Sequence, residues 1–277
     1  MRRATVETRF AHAVSGVLLW AALLSVAFPL AWILLTSFKP VSKIYQMPPV
    51  LFFKPTLRNY YKALVENDSL RTAFLNSVIV AVTTSLVSVA LAAPGAYAIV
   101  RFVKRNYRAR VAILAMQMLP PAVLAIPIAL VARRLAMYDS LVSLIIACLT
   151  ITLPFSIWLL SAFLEGIPGS FEEAALIDGC SRFTAFLRVV VPVATPGLGA
   201  AAILSFIFGW NEFLYALVLT GRTSQTLPVA ACGFATSQGV QVELLTVAVV
   251  LMALPAILFG TVAQKYLVEG LTSNSLK

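Results

Sequence analysis

Long apolar runs, each about as long as a membrane crossing, recur along this chain between short polar segments. There are six such runs, and Glu212 in the fifth is the only charged residue in any of them. A membrane-spanning helix needs about 20 apolar residues, and every run reaches that length. The runs lack the period-two alternation of a lipid-facing strand, so we predict helices. The expected spans are approximately residues 14–36, 72–100, 111–132, 140–164, 193–219 and 244–264.

The six spans predict an all-α integral membrane protein with a single transmembrane domain over residues 1–277. The composition agrees, since 60% of the residues are hydrophobic and 12% are charged, whereas a soluble domain is nearer half apolar and a quarter charged. Arg2, Arg3 and Arg9 precede the first run, as in a signal peptide. The run is longer than the roughly 7–15 apolar residues of a signal peptide, so a retained span is favoured.

The net charge of +10 does not indicate a nucleic-acid-binding protein, because the basic residues are scattered and no soluble domain carries them. They are better interpreted as topology signals. The link from Arg101 to Arg110 holds five basic residues and no acid, which predicts a cytoplasmic loop. Both termini and the segment 166–192 then also lie in the cytoplasm. The segment 37–71 departs from the rule, since it is placed outside but holds six basic residues.

Residues for catalysis or metal binding are scarce. The only histidine is His12, near the N-terminus, so a Ser-His or Cys-His pair has no histidine within the spans. Cys148, Cys180 and Cys232 are widely spaced and suggest neither a disulfide framework nor a metal site. We therefore predict that the chain is not an enzyme, has no catalytic residue and binds no metal.

Two features of the bundle leave alternatives open. The outer connection 37–71 is either a packed loop or a docking surface. Hydroxylated residues in the second and fourth spans indicate either close helix packing or, together with the prolines, the kinked wall of a polar path. These hydroxylated residues are Thr83, Thr84, Ser85, Ser88, Thr150, Thr152, Ser156 and Ser161. The prolines are Pro94, Pro120, Pro121, Pro127 and Pro154.

The fifth span contains the sequence WNEFLY, which places Asn211 and Glu212 at membrane depth. Inserting an acid at mid-helix costs about 2.5–3.5 kcal/mol, so Glu212 must face protein or water. Trp210 and Tyr215 add rings of the kind that stack on sugars. Glu212 is thus either a structural hydrogen-bond partner or part of a solute path, for which the candidates are Trp210, Asn211, Glu212 and Tyr215.

Three acids stand together in SFEEAALIDG, between the fourth and fifth spans. Ser170 and Glu173 have the spacing of a capping box, which predicts the start of a helix. Gly179 is suited to end that helix, and Ser181 to cap a second one that stops at Pro192. The sequence therefore predicts a helix–turn–helix outside the membrane.

This segment resembles the cytoplasmic signature loop of permeases from ABC importers. The signature is E-A-A, three residues, Gly, nine residues and I-x-L-P, with an acid commonly found before the glycine. It falls on Glu173, Ala174, Ala175, Asp178, Gly179, Val189, Val191 and Pro192. Valine replaces isoleucine and leucine at two positions.

The stretches SFKP, TLRNYYKAL, WNEFLYALVLT and QKYLVEGLTSNSLK extend the resemblance to the smaller permease of the carbohydrate (maltose-type) branch. The resemblance implies the fold of a type I importer permease and a pore for a carbohydrate or related polyhydroxy solute. It further implies a second, different permease, two ATPase copies that bind ATP and Mg, and an extracytoplasmic binding protein. This chain would bind no cofactor and would lie in a bacterial or archaeal cytoplasmic membrane.

The resemblance also assigns roles to residues. The loop 166–192 would carry a coupling helix that sits in an ATPase cleft, with Glu173 paired to a basic ATPase residue. The coupling residues are Glu172, Glu173, Ala174, Ala175, Asp178 and Gly179. The tail would contact the ATPases through Leu271, Thr272, Ser273 and Lys277. The alternative is an ion-coupled secondary transporter that uses Glu212, but no clear internal repeat of the expected kind is present.

Overall fold

The regular structure of the protein is almost entirely helical. The computed structural model describes residues 2–103, 106–236 and 239–272. Within them the α-helices are α1 (Arg2–Ser37), α2 (Val41–Ile44), α3 (Arg58–Tyr61), α4 (Asp68–Phe102), α5 (Asn106–Met116), α6 (Pro121–Arg134), α7 (Leu141–Glu165), α8 (Ser170–Ile177), α9 (Arg182–Ala185), α10 (Val191–Val193), α11 (Thr195–Trp210), α12 (Leu214–Leu219), α13 (Leu227–Cys232) and α14 (Val242–Thr272). Lys62–Glu66 and Phe186–Val190 are π-helical, and the short strands β1 (Ala235–Thr236) and β2 (Gly239–Val240) pair antiparallel. The prediction of an all-α protein is confirmed.

The described helices supply between four and six membrane spans, judged by length and composition. Four are single helices, namely Ser15–Ser37, Asp68–Phe102, Leu141–Glu165 and Val242–Ala263. Two more are bent pairs, Tyr107–Met116 with Pro121–Arg134 and Arg182–Val193 with Thr195–Trp210. The count reaches six when each bent pair is one span.

The third and fifth predicted spans are interrupted rather than continuous. The third bends by 74° between α5 and α6, where Pro120 and Pro121 supply no backbone N–H to continue the first helix. The segment between α5 and α6 is connected to α7 by Gln117, whose side-chain amide donates to the carbonyl of Ile151 at 3.2 Å. The fifth bends by 77° at its start and breaks again between α11 and α12. The third and fifth predicted spans therefore each contain backbone that departs from a continuous α-helix.

The chain packs as two compact units, and the prediction of one domain over 1–277 stays a prediction. The first unit comprises the described residues of Met1–Asn67 and Phe234–Val250. In it the buried Asn59 donates to the carbonyls of Ser37 and Lys39 at 2.9 and 2.8 Å. The connection 37–71 is thus held by its own hydrogen bonds, as the packed-loop interpretation expects.

The second unit comprises the described residues of Asp68–Gly233 and Leu251–Lys277, with α4, α7 and α11 packed together. Three buried hydroxyls connect these helices, since Ser88 contacts Ser156 at 3.0 Å and Ser156 contacts Ser205 at 2.9 Å. Such bonds contribute about 0.6 kcal/mol each between membrane helices. The contacts of Ser88 and Ser156 therefore support the helix-packing interpretation of the hydroxylated positions.

Gly209 lies at a close contact between α11 and α4, and its replacement tests that packing. A Cβ at Gly209 would lie 3.2 Å from the Cα of Ala81, whereas no described atom lies within 4 Å of a Cβ at Gly199 in the same helix. We expect Gly209→Val to lower the free energy of unfolding by about 1–3 kcal/mol through overpacking. Denaturant titration in detergent micelles measures it. Gly199→Val is the matched control, and an equal loss in both variants would contradict the close approach.

Candidate functional site

The acidic segment between the fourth and fifth spans folds as the predicted helical hairpin, but its first helix starts differently. Gly169 has helical backbone angles and is the N-cap of α8, with no side-chain capping bond. The amide of Glu173 donates to the carbonyl of Gly169 at 3.0 Å. Ser170 is already helical, so its hydroxyl is not placed to cap the helix. The predicted capping box of Ser170 and Glu173 is therefore wrong.

The turn of the hairpin is the one that the sequence predicts. Gly179 has a φ of +85°. Two backbone hydrogen bonds close the end of α8: the amide of Cys180 donates to the carbonyl of Ala175 at 3.0 Å, and the amide of Gly179 donates to the carbonyl of Leu176 at 3.1 Å. This pattern is a Schellman motif, which favours glycine at the left-handed position. Ser181 then caps α9 by accepting from the amide of Thr184 at 3.2 Å. The predicted roles of Gly179 and Ser181 are confirmed.

The two sides of α8 differ in exposure. Glu173, Ala174 and Asp178 are exposed, and Ile177 is 86% exposed. Ala175 is buried on the opposite side. Glu173 and Asp178 make no salt bridge with any residue that the structure describes. The chain thus presents a face that is both apolar and acidic, and the described residues supply no salt bridge to its acids.

Glu172 points the other way, into this chain. It is 7% exposed, and its carboxylate accepts from the hydroxyl of Tyr97 and from Nε of Arg101, the latter at 3.1 Å. Arg101 also donates through Nη2 to the carbonyl of Ile167 at 3.0 Å. The ring of Tyr97 packs on Phe186 with centroids 4.9 Å apart. Sequence reasoning missed Tyr97 and took Arg101 only as a topology signal.

The fifth span is interrupted at its polar residues. Asn211 follows the last residue of α11, and its side chain is exposed and donates to the carbonyl of Ile207 at 3.0 Å. Glu212 accepts from the amide of Tyr215 at 2.7 Å. That bond satisfies one of the amides left free at the start of α12. The contact favours the structural interpretation of Glu212, with its partner in the same segment rather than on a neighbouring helix.

The rings beside Glu212 pack against this chain's own helices. Trp210 is 2% exposed, and its indole donates to the carbonyl of Met252 at 2.9 Å. Phe74 meets it edge to face, with centroids 6.0 Å apart. Tyr215 is fully buried, and its hydroxyl lies 3.2 Å from Oγ1 of Thr150. These two rings therefore present no face for a sugar to stack on in this arrangement, and the solute-path assignment stays a prediction.

Asp139 organises a loop that sequence reasoning did not single out. Its carboxylate accepts from the amide of Gly221 at 2.7 Å and from the amide and hydroxyl of Ser224 at 2.9 and 2.6 Å. Burial alone would raise the pKa of Asp139, but the bonds from Ser224 and Gly221 outweigh it and hold the pKa well below its ordinary value. The loop 221–224 is thereby tied to the start of α7.

Asp139→Ala is expected to lower the free energy of unfolding by about 1–3 kcal/mol, because several donors lose their acceptor. Asp68→Ala is the control, since the Asp68 side chain is 83% exposed in its pair with Arg71 and such pairs contribute about 0–1 kcal/mol. Because the folded pKa of Asp139 is depressed, its contribution is complete above the ordinary value of 3.8 and is lost as the pH falls through the folded value. Denaturant titrations at several pH values test both statements.

The predicted ATPase-contacting tail lies at the edge of the described chain. Leu271 and Thr272 belong to the last turn of α14, which ends at Thr272. Ser273 and Lys277 lie outside the described residues. The role of the tail stays a prediction.

Comparison with known proteins identifies the family. Residues 88–273 match the family described as the binding-protein-dependent transport system inner membrane component. The probable ABC transporter permease protein y4oR of Sinorhizobium fredii is 38% identical and covers 94% of both chains. The trehalose transport system permease protein SugB of Mycobacterium tuberculosis is 34% identical, covering 90% of this chain and 92% of that one. The trehalose/maltose transport system permease protein MalG of Thermococcus litoralis is 31% identical, covering 90% and 91%.

Solved structures share the fold. A chain in the crystal structure of a bacterial ABC transporter involved in import of the acidic polysaccharide alginate has a TM-score of 0.74 at 24% identity, covering 93% of this chain and 96% of that one. This agreement confirms the predicted fold class of an importer permease. The chain belongs to the family of binding-protein-dependent transport system inner membrane components and is a non-catalytic permease subunit of an ABC transporter.

Proposed function

We propose that this chain is a pore-forming subunit of an ATP-driven importer for a carbohydrate or a related polyhydroxy solute. Relatives similar over about nine-tenths of the chain are named for transport of trehalose, of trehalose and maltose, and of diacetylchitobiose. The observation that carries the proposal is the outer face of α8, whose acids are exposed and lack partners among the described residues. This face does not contribute to the described packing of the bundle, and a helix of this kind is suited to bind in a groove of another protein.

The α8 hairpin is the link between the bundle and its motor. The outer face of α8, formed by Glu173, Ala174, Ile177 and Asp178, seats in a cleft of a cytoplasmic ATPase. ATP closes the ATPase dimer and draws the clefts together, and the bundle changes from an inward-open to an outward-open state. ATP shifts this equilibrium only through contacts that differ between the two states. Glu173 supplies one such contact by pairing with a basic ATPase residue.

The complete transporter contains a second, different permease, two ATPase copies that bind ATP and Mg, and an extracytoplasmic solute-binding protein. Both termini and the loop 166–192 face the cytoplasm of a bacterial or archaeal cell. The basic link between Arg101 and Arg110 supports this orientation. The tail residues Leu271 to Lys277 reach the ATPases. The solute path passes the exposed Asn211 and the break beside Glu212.

The energy source distinguishes this proposal from ion-coupled transport. The permease is co-expressed with its partner subunits, and uptake of radiolabelled disaccharides is measured in cells. We expect uptake to continue after the proton gradient is collapsed with ATP maintained, and to stop when ATP is depleted. Uptake that stops with the gradient while ATP remains would overturn the proposal.

A further inference from the structure

Two adjacent glutamates on α8 have opposite surroundings, and only one of them can face an ATPase. Glu173 is exposed, whereas Glu172 is buried and contacts Tyr97 and Arg101. Those two partners both lie near the C-terminal end of α4. A buried carboxylate that is fully engaged within its own chain is not available to a partner. Its function must therefore lie in what it connects.

We propose that Glu172 is a positioning residue that fastens α8 to α4 through Tyr97 and Arg101, so that displacement of α8 by the ATPase moves α4 as well. This inference rests on the function proposed above. Without this clamp, the two bonds that join α8 directly to α4 would be absent, and α8 would be linked to α4 through the neighbouring parts of the hairpin. With the clamp, a displacement of α8 is transmitted to α4 directly through the bonds of Glu172 to Tyr97 and Arg101.

The geometry of the link favours transmission of force. Arg101 donates to the carboxylate of Glu172 at 3.1 Å and to the carbonyl of Ile167 at 3.0 Å, so it binds both α8 and the segment that precedes it. Packing reinforces the link, because Tyr97 contacts Phe186 beyond the turn. The guanidinium of Arg182 in α9 lies 5.1 Å from the ring centroid of Phe102 in α4. Both halves of the hairpin are thus attached to the same end of α4.

The helix that receives this link is long and firmly packed. α4 has 35 residues, which corresponds to about 52 Å at 1.5 Å per residue and is enough to cross a bilayer. Along its length it meets α7 through Ser88 and α11 through the close approach at Gly209. The contacts of α4 therefore run from its end near Arg101 to α11, close to the break beside Trp210. A packed helix of this kind can carry a shift between two sites.

The test compares Glu172→Gln and Tyr97→Phe with two controls in the complete transporter, reconstituted in proteoliposomes. Glu165→Gln alters another ion pair at this end of the spans, where Arg110 contacts Glu165 at 2.6 Å. Glu173→Gln alters the exposed neighbour. The measurements are the amount of ATPase that co-purifies with the permease and the amount of radiolabelled disaccharide transported per ATP hydrolysed.

We expect Glu172→Gln to retain the ATPase subunits but to lower transport per ATP by about tenfold, within the range typical of coupling between distant sites. Tyr97→Phe should lower the ratio in the same direction by a smaller factor. Glu165→Gln should leave the ratio unchanged, and Glu173→Gln should reduce ATPase retention instead.

An unchanged ratio in both Glu172→Gln and Tyr97→Phe would overturn the clamp, and so would loss of the ATPase from Glu172→Gln, since that would make Glu172 a docking residue. If Glu172→Gln fails to assemble, the ratio of transport to ATP hydrolysis in Tyr97→Phe becomes the test, and an unchanged ratio in that variant would overturn the clamp. Failure of the proposed function is distinguishable, because the wild-type permease would then retain no ATPase at all.

Discussion

Uptake by the Glu173→Lys variant should fall by about 100-fold or more while the permease remains folded and inserted. Glu173 is exposed and makes no salt bridge with the described residues, so its loss removes no contact that stabilises the bundle. A lysine placed against a basic ATPase residue instead costs several kcal/mol at the interface. The helix then leaves its cleft, and ATP hydrolysis no longer drives transport. Solute uptake and ATP hydrolysis in proteoliposomes measure this uncoupling.

Ser170→Lys is the matched control, because Ser170 is exposed on the same short helix and lies outside the signature positions. A similar loss in both variants would indicate a general effect of added positive charge. Normal uptake by Glu173→Lys would contradict the assignment of α8 as the coupling helix.

The largest loss of stability is expected for Trp210→Ala. Trp210 is 2% exposed, packs between Phe74 and Phe206 and donates to the carbonyl of Met252. Deleting a buried side chain of this size leaves a cavity and lowers the free energy of unfolding by about 3–5 kcal/mol. Denaturant titration of the purified subunit in detergent measures the change.

Two further variants separate the parts of this effect. Trp210→Phe keeps most of the volume but removes the indole donor, and should cost about 1 kcal/mol for the lost hydrogen bond. Trp20→Ala is the control, since Trp20 is 66% exposed and should change stability little. A small loss in Trp210→Ala together with a large loss of uptake would instead support contact between Trp210 and the solute.

The fold could be predicted because a membrane imposes strong and local constraints on sequence. Apolar runs of spanning length identify the crossings regardless of how they pack. The prolines at 120 and 121 also marked the position of the break in the third span, but they did not reveal its bend of 74° or the bond from Gln117 to Ile151 in α7. The turn at Gly179 was predictable because a left-handed residue favours glycine.

The capping box failed because the same local pattern permits two starting points. Gly169 itself has helical angles, and the helical turn begins one residue earlier than the pattern predicts, since the amide of Glu172 donates to the carbonyl of Gly169 at 3.0 Å. Helix ends fray, and their boundaries vary by one or two residues. Local spacing alone therefore cannot decide between them.

The distinction between Glu172 and Glu173 was hidden for a different reason. Glu172 is buried by partners 75 and 71 residues away in the chain, and no periodicity within α8 reveals contacts at that separation. The general rule that a buried carboxylate needs a partner applies only once its burial is known. The same reasoning explains Trp210 and Tyr215, whose rings suggested a sugar site until their burial was apparent.

Site-specific photo-crosslinking from Ile177 tests the central claim most directly. Ile177 is 86% exposed on the outer face of α8, so a photoreactive amino acid there should crosslink the ATPase subunit in the assembled transporter. The same group at Phe52, which is 95% exposed in the outer connection, should not. Crosslinking of the ATPase from position 177 alone is the expected result. Crosslinking of position 177 only to lipid, or to no ATPase subunit, would contradict the account.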